Sequence, residues 1–127
     1  MHLYLEVRQS PGRGRGVWAT APIAAGTMLE ESPVIVMSAA DRAHLDQTLL
    51  HDYIFEWQPD GQQLCCMALG YVPLYNHACP SNSEYLMDYD HQTIRVVTMR
   101  DIAAGEEVTI NYQGDFDDAT PVWFELA

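Results

Sequence analysis

Lysine is absent from this chain of 127 residues: its six basic residues are all arginine, set against 18 acidic ones, for a net charge of −12. A surface of that sign repels phosphates, so nucleic acid is not an expected partner. It would attract a basic protein or peptide, although solubility alone accounts for the acidity more economically. Cysteine is scarce, with Cys65, Cys66 and Cys79. An odd count with two adjacent residues argues against a disulfide framework and fits a reducing, intracellular compartment such as the cytoplasm; export as an effector stays open. The adjacent pair lacks the spacing of zinc-binding cysteines, so no metal is expected. No apolar run is long enough to span a bilayer, and the first residues lack the basic-then-apolar pattern of a signal peptide. A hydrophobic fraction of 48% is enough for a real core, and the length suits one domain over residues 1–127.

Most of the chain reads as short strands divided by turns, the pattern of a mainly β domain. Strands are expected over residues 3–8, 17–20 and 27–37, with a Gly/Pro loop over 9–16 between the first two. Ser38 is placed to cap a short helix, with Asp41 three residues on. Hairpins are expected around Pro59-Asp60-Gly61 and around Asp90-His91-Gln92. Val108, Ile110 and Tyr112 alternate and so should share one face of a strand. Thr120 and Pro121 could open one helical turn in the aromatic tail. One internal echo stands out: Pro22-Ile23-Ala24-Ala25-Gly26-Thr27 resembles Asp101-Ile102-Ala103-Ala104-Gly105-Glu106. Two copies are too few for a solenoid and read as two equivalent corners of one β-fold.

Three segments could carry chemistry. Gly12-Arg13-Gly14-Arg15-Gly16-Val17-Trp18 has glycines spaced to let a backbone approach a ligand, yet it precedes a strand, which excludes a P-loop or dinucleotide fingerprint. Alone it is a flexible hairpin loop. Tyr75-Asn76-His77-Ala78-Cys79-Pro80-Ser81-Asn82 is dense in side chains that donate and accept hydrogen bonds, and alone is equally a polar turn satisfying buried backbone. In Gly105-Glu106-Glu107-Val108-Thr109-Ile110-Asn111-Tyr112 the adjacent glutamates read as a solvated pair, and neighbours on a strand cannot serve as an acid/base dyad across a cleft.

In this order, Gly-Arg-Gly, then Asn-His-x-Cys-x-x-Asn, then Gly-Glu-Glu-x-x-x-x-Tyr, the three motifs together resemble the SET-domain signature over roughly residues 10–115. The resemblance implies a fold of several small β-sheets, β-clip-like, with a knot-like crossing of the C-terminal segment. It implies S-adenosyl-L-methionine as cofactor and a lysine of another protein as methyl acceptor. Backbone around Arg15, Gly16 and Trp18 would hold the methionine end of that cofactor, Asn76 and His77 its amino and adenine groups, and Tyr112 would be the catalytic tyrosine. Trp123 in the tail would also reach the cofactor. Tyr53, Tyr71, Phe116 and Phe124 are candidates for the wall of the lysine channel, though each taken singly is more readily core than site. The sequence departs from many members of the family in having no cysteine after Tyr112, so the tail over 116–127 would have to close the channel in place of a zinc cluster. The missing insert for substrate recognition is compatible with a homodimer. The competing readings are a catalytically silent module that binds a basic peptide and, more remotely, a purely structural β-barrel.

Overall fold

The computed structural model describes residues 1–112. Two sheets form the scaffold. The strands are β1 (Leu5–Ser10), β2 (Gly14–Ala19), β3 (Met28–Met37), β4 (Phe55–Trp57), β5 (Leu64–Ala68), β6 (Asn76–His77), β7 (Ser83–Asp88), β8 (Thr93–Thr98) and β9 (Glu107–Ile110). One sheet runs β1-β2-β9-β6 and the other β4-β5-β3-β8-β7. The mainly β reading, in several small sheets, is the fold observed. The knot-like crossing expected of the C-terminal segment, and the tail with its expected helical turn, fall outside the described residues.

β3 belongs to two ladders. Its first half pairs with β8, up to Pro33 opposite Thr93, and its second half pairs with β5, from Val34 opposite Ala68. Pro33 sits at the handover, where its missing N–H removes no ladder bond. A bulge between Met28 and Glu30 shifts the phase of the strand, so that Leu29 and Glu30 both face inward. Both are buried, Leu29 at 1% exposure and Glu30 at 2%. Ser38 caps the short helix α1 (Ala39–Leu45) in a reciprocal capping box with Asp41, as its spacing indicates. Both expected hairpins form, β4–β5 and β7–β8.

The echoing segments turn out to be partners. Ile23 and Ile102 exchange both backbone hydrogen bonds, 2.9 and 2.8 Å, and both side chains are buried. Each glycine of the pair, Gly26 and Gly105, has the positive φ that lets the chain reverse just after it. Asp101 ties the two corners further by accepting the Ala25 N–H at 2.8 Å. The corners lock β2–β3 to β8–β9, and so fix where β9 begins.

Two local expectations change. The first loop shrinks, because β1 reaches Ser10 and β2 starts at Gly14; Arg13 donates its N–H to the Ser10 carbonyl and closes a tight turn. The last strand stops at Ile110, and Thr109 and Asn111 are buried along with Val108 and Ile110. β9 lies between β2 and β6 and has no solvent face, so apolar alternation could not report its two sides. Among the described residues no helix is long and apolar enough to cross a membrane.

Candidate active site

β9 organises the site. It pairs antiparallel with β2 on one side and parallel with β6 on the other. Two hydrogen bonds from the Asn82 side chain hold it in register: the amide accepts the Thr109 N–H at 2.9 Å and donates to the Glu107 carbonyl at 2.8 Å. Asn76-His77 is thereby set beside the Gly-Arg-Gly turn, although about sixty residues separate them in the chain.

Glu107 is the hub of that junction. Its side chain is 9% exposed, and it accepts from Ser10 Oγ at 2.8 Å, Arg13 Nη2 at 2.6 Å and Asn76 Nδ2 at 2.7 Å. Arg13 also donates to the His77 carbonyl at 3.1 Å, and Asn76 to the Arg15 carbonyl at 3.3 Å. A charge this enclosed is tolerable because its oxygens are satisfied and a guanidinium stands beside it. Gly16 is required for the packing, since a Cβ there would collide with the Glu107 carboxylate and stand 2.7 Å from the Asn76 amide. The glutamate pair read as solvated therefore divides in two. Glu106 is the outer member, bound to Arg100, and its pKa lies below the ordinary carboxylate value chiefly because of that hydrogen bond. Glu107 is the inner member. A strand buried on both faces hides this from sequence.

Tyr112 closes the other end. Its hydroxyl donates to the Tyr75 carbonyl at 2.9 Å, and its N–H donates to His77 Nδ1 at 3.1 Å. With Nδ1 accepting, a neutral His77 carries its ring proton on Nε2. The two rings lie 5.2 Å apart, tilted by 51°. The Tyr85 hydroxyl donates to the Tyr112 carbonyl at 3.2 Å. Burial pushes the Tyr112 pKa up to about 12, against a smaller opposing pull from Arg13. The phenol is thus neutral at ordinary pH, with its proton directed at the Tyr75 carbonyl.

Two clefts meet at this residue. One, of about 230 Å³, is lined by Arg13, Arg15, Asn76, His77, Leu74 and Tyr112 among others. The second, of about 310 Å³, is walled by Tyr53, Phe55, Tyr75, Tyr85 and Tyr112, with Asp52 and Glu56 also on its lining. Asp52, Tyr53, Pro73 and Tyr112 belong to both. Of the residues singled out from sequence, Arg15, Asn76, His77, Tyr53 and Tyr112 line these clefts. Gly16 lies directly behind them. Trp18 lines neither cleft; its main chain pairs with Glu107 and its ring lies under the Arg8 guanidinium, 5.1 Å away. Tyr71 also lines neither, and its N–H is bound to Glu30. Phe116, Trp123 and Phe124 lie outside the described residues. Sequence reading missed Arg13, Glu107, Phe55, Tyr75 and Tyr85. Tyr75 and Glu107 lay inside the recognised motifs, whereas nothing local marks Phe55 or Tyr85 as facing a cleft.

A SET domain family model matches residues 14–113. A curated relative from Schizosaccharomyces pombe, a histone-lysine N-methyltransferase specific for H3 lysine-37, is 36% identical over 122 residues, spanning 95% of this chain and 77% of the relative. Two solved structures share the fold. The Neurospora SET domain protein DIM-5, a histone lysine methyltransferase, superimposes with a TM-score of 0.69 at 19% identity, over 93% of this chain and 55% of that one. A Plasmodium falciparum protein described as a candidate histone methyltransferase gives 0.65 at 20% identity, over 98% and 99%. The chain belongs to the SET-domain family. Within it, the curated relative makes this protein an enzyme of the methyltransferase class.

Proposed function

We propose that the protein transfers methyl groups from S-adenosyl-L-methionine to a lysine side chain of a basic, histone-like protein. The observation that carries this reading is the meeting of two clefts, one lined by Arg13, Arg15, Asn76 and His77 and the other walled by aromatic rings, at one half-buried tyrosine, Tyr112. The cleft lined by Arg13, Arg15, Asn76 and His77 fits the cofactor's charged amino-acid end. Arg15, beside the Arg13 that Glu107 holds, offers a cation to its carboxylate, and Asn76 and His77 offer hydrogen-bonding groups. Bound there, the cofactor would supply an electrophilic methyl group on a sulfonium, a good leaving group that needs no covalent intermediate.

The chain's own residues then have three tasks. The first is alignment: nitrogen, methyl carbon and sulfur must be collinear, and two clefts joined at Tyr112 hold donor and acceptor from opposite sides. The second is desolvation. Phe55 and the rings of Tyr53, Tyr75 and Tyr85 wall the second cleft, and burial among rings lowers an amine's pKa, which favours the form without its proton. The third is electrostatic. With its proton held by the Tyr75 carbonyl, the Tyr112 hydroxyl is a fixed dipole on a residue that lines both clefts, and such dipoles stabilise the charge that spreads over a methyl in flight. The net charge of −12 favours the approach of a basic segment, and Asp52 lies on the lining of the second cleft, where Glu56 is paired with Arg42 at 3.7 Å.

The test is incubation with radiolabelled S-adenosylmethionine and core histones, with parallel calorimetry of cofactor binding. The chain has no lysine of its own, so lysine-specific label must lie on the added substrate. No transfer together with no cofactor binding would end this reading.

A further inference from the structure

We infer that Glu30 is a positioning residue that, from the core behind Tyr75, fixes the turn whose following carbonyl receives the Tyr112 hydroxyl. The inference rests on the methyltransferase reading and assigns a role to a buried acid that reading does not use.

Glu30 is 2% exposed, carried inward by the β3 bulge. Its Oε1 accepts the Tyr75 hydroxyl at 2.8 Å. Its Oε2 accepts Ser32 Oγ at 2.6 Å and the Tyr71 N–H at 3.2 Å. One carboxylate thus clamps both ends of the segment from Tyr71 to Tyr75. Between them lies the 3-10 turn Val72–Leu74, whose Pro73 lines both clefts. The approach to the clamp is also shaped for it: Gly70 has φ +67°, and a Cβ there would collide with the Glu30 carboxylate and stand 2.5 Å from Ser32 Oγ. Burial and the adjacent carboxylate push the Tyr75 pKa well up, so its phenol stays a donor.

A carboxylate is a costly filler for a core, and an apolar side chain would serve packing better. What it adds is direction. Two oxygens at fixed separation set the rotation of the Tyr75 ring and the pitch of the turn. The Tyr75 carbonyl, at the end of that turn, is the acceptor that orients the Tyr112 hydroxyl. Glu30 would touch neither cofactor nor substrate; it would act through Tyr75.

The test compares Glu30→Gln and Tyr75→Phe with the wild type and with Ile102→Val, a core truncation at the distant corner. Three quantities are read: kcat at saturating cofactor and histone, cofactor Kd by calorimetry, and titration of Tyr112 by NMR of ring-carbon-labelled tyrosine. We expect kcat to fall tenfold or more in both variants with cofactor Kd unchanged. The Tyr112 resonance should titrate at lower pH than in the wild type, as the hydroxyl loses its fixed acceptor. Ile102→Val should lower the melting temperature and leave kcat and the titration as they were. If Glu30→Gln does not fold, Tyr75→Phe, which removes one oxygen, carries the comparison. Variants that only melt earlier, like Ile102→Val, with kcat and the Tyr112 titration unmoved, would overturn the inference. A wild type that transfers no methyl would instead overturn the methyltransferase reading, and the Tyr112 titration would still report on the clamp.

Discussion

Replacing Tyr112 with Phe removes one oxygen and little else. The ring stays, with its packing against His77 at 5.2 Å, and so does the Tyr112 N–H bond to His77 Nδ1. The contacts of Arg13, Asn76 and Glu107 do not involve the hydroxyl. Cofactor affinity should therefore hold within about twofold, a change of less than ~0.5 kcal/mol. Stability should fall by about 1 kcal/mol, the net worth of the 2.9 Å bond to the Tyr75 carbonyl. The rate should fall much further. A single oriented dipole acting on developing charge in a water-poor site is worth roughly 3–4 kcal/mol, or about 10²–10³ in kcat. Calorimetry gives the affinity, and label transfer to histone at saturating cofactor gives kcat. Undiminished kcat in a variant that still binds cofactor would refute the assignment of Tyr112. A loss of cofactor binding equal to the loss of rate would show that the hydroxyl serves the pocket and not the transfer.

Further outcomes follow from the same geometry. Glu107→Ala strands the Arg13 and Asn76 donors and should weaken cofactor binding by about tenfold or more, roughly 1.5–3 kcal/mol, measured by calorimetry. Gly16→Ala forces a methyl group onto the Glu107 carboxylate and should cost about 1–3 kcal/mol in a denaturant melt, with cofactor affinity falling in parallel. Asn82→Ala leaves the Thr109 N–H and Glu107 carbonyl without partners inside the fold and should destabilise by about 3 kcal/mol. The Glu106 carboxyl, depressed by Arg100, contributes stability that is complete above its ordinary pKa of 4.5 and is lost as pH falls through the lowered folded value. Acid unfolding of Glu106→Gln should therefore lack that part of the pH dependence, while the neutral-pH melt loses the contribution throughout.

Features written in neighbouring residues are legible in the sequence alone. The Ser38 capping box, the two hairpins and the repeated Ile-Ala-Ala-Gly corner each need only a few adjacent positions, and each is where local chemistry puts it. The order of the three motifs is enough to single out Asn76, His77 and Tyr112 through the family they resemble. The partners of those residues are not legible. Arg13 gains its role only because β9 lies between β2 and β6, bringing Glu107 within 2.6 Å. Phe55 and Tyr85 come into contact across the sheet, 5.2 Å apart in an edge-to-face pair, from strands that are separate hairpin arms in the chain. Aromatic residues on β-strands are ordinary core by composition, and only the cleft they face distinguishes them.

Glu30, Glu106 and Glu107 show why residue type alone could not rank the acids of this chain. All three stand at or beside strand ends rich in neighbouring carboxylates, and the charge pattern treats them alike. Their fates separate through backbone geometry. A bulge turns Glu30 inward. The corner held by Ile23 and Ile102 leaves Glu106 at the rim with Arg100. The next residue begins a strand with neighbours on both sides and is enclosed. In an acidic protein most carboxylates serve solubility, so an enclosed one is informative in proportion to the number of donors arranged around it. Glu107 and Glu30 each have three. One set of donors is Ser10 and Arg13 at the first turn with Asn76, the other Tyr71 and Tyr75 at the ends of one turn with Ser32 of β3. Those are the two segments that must be held still for a methyl donor and an amine to meet at Tyr112, and each is held by a single buried acid.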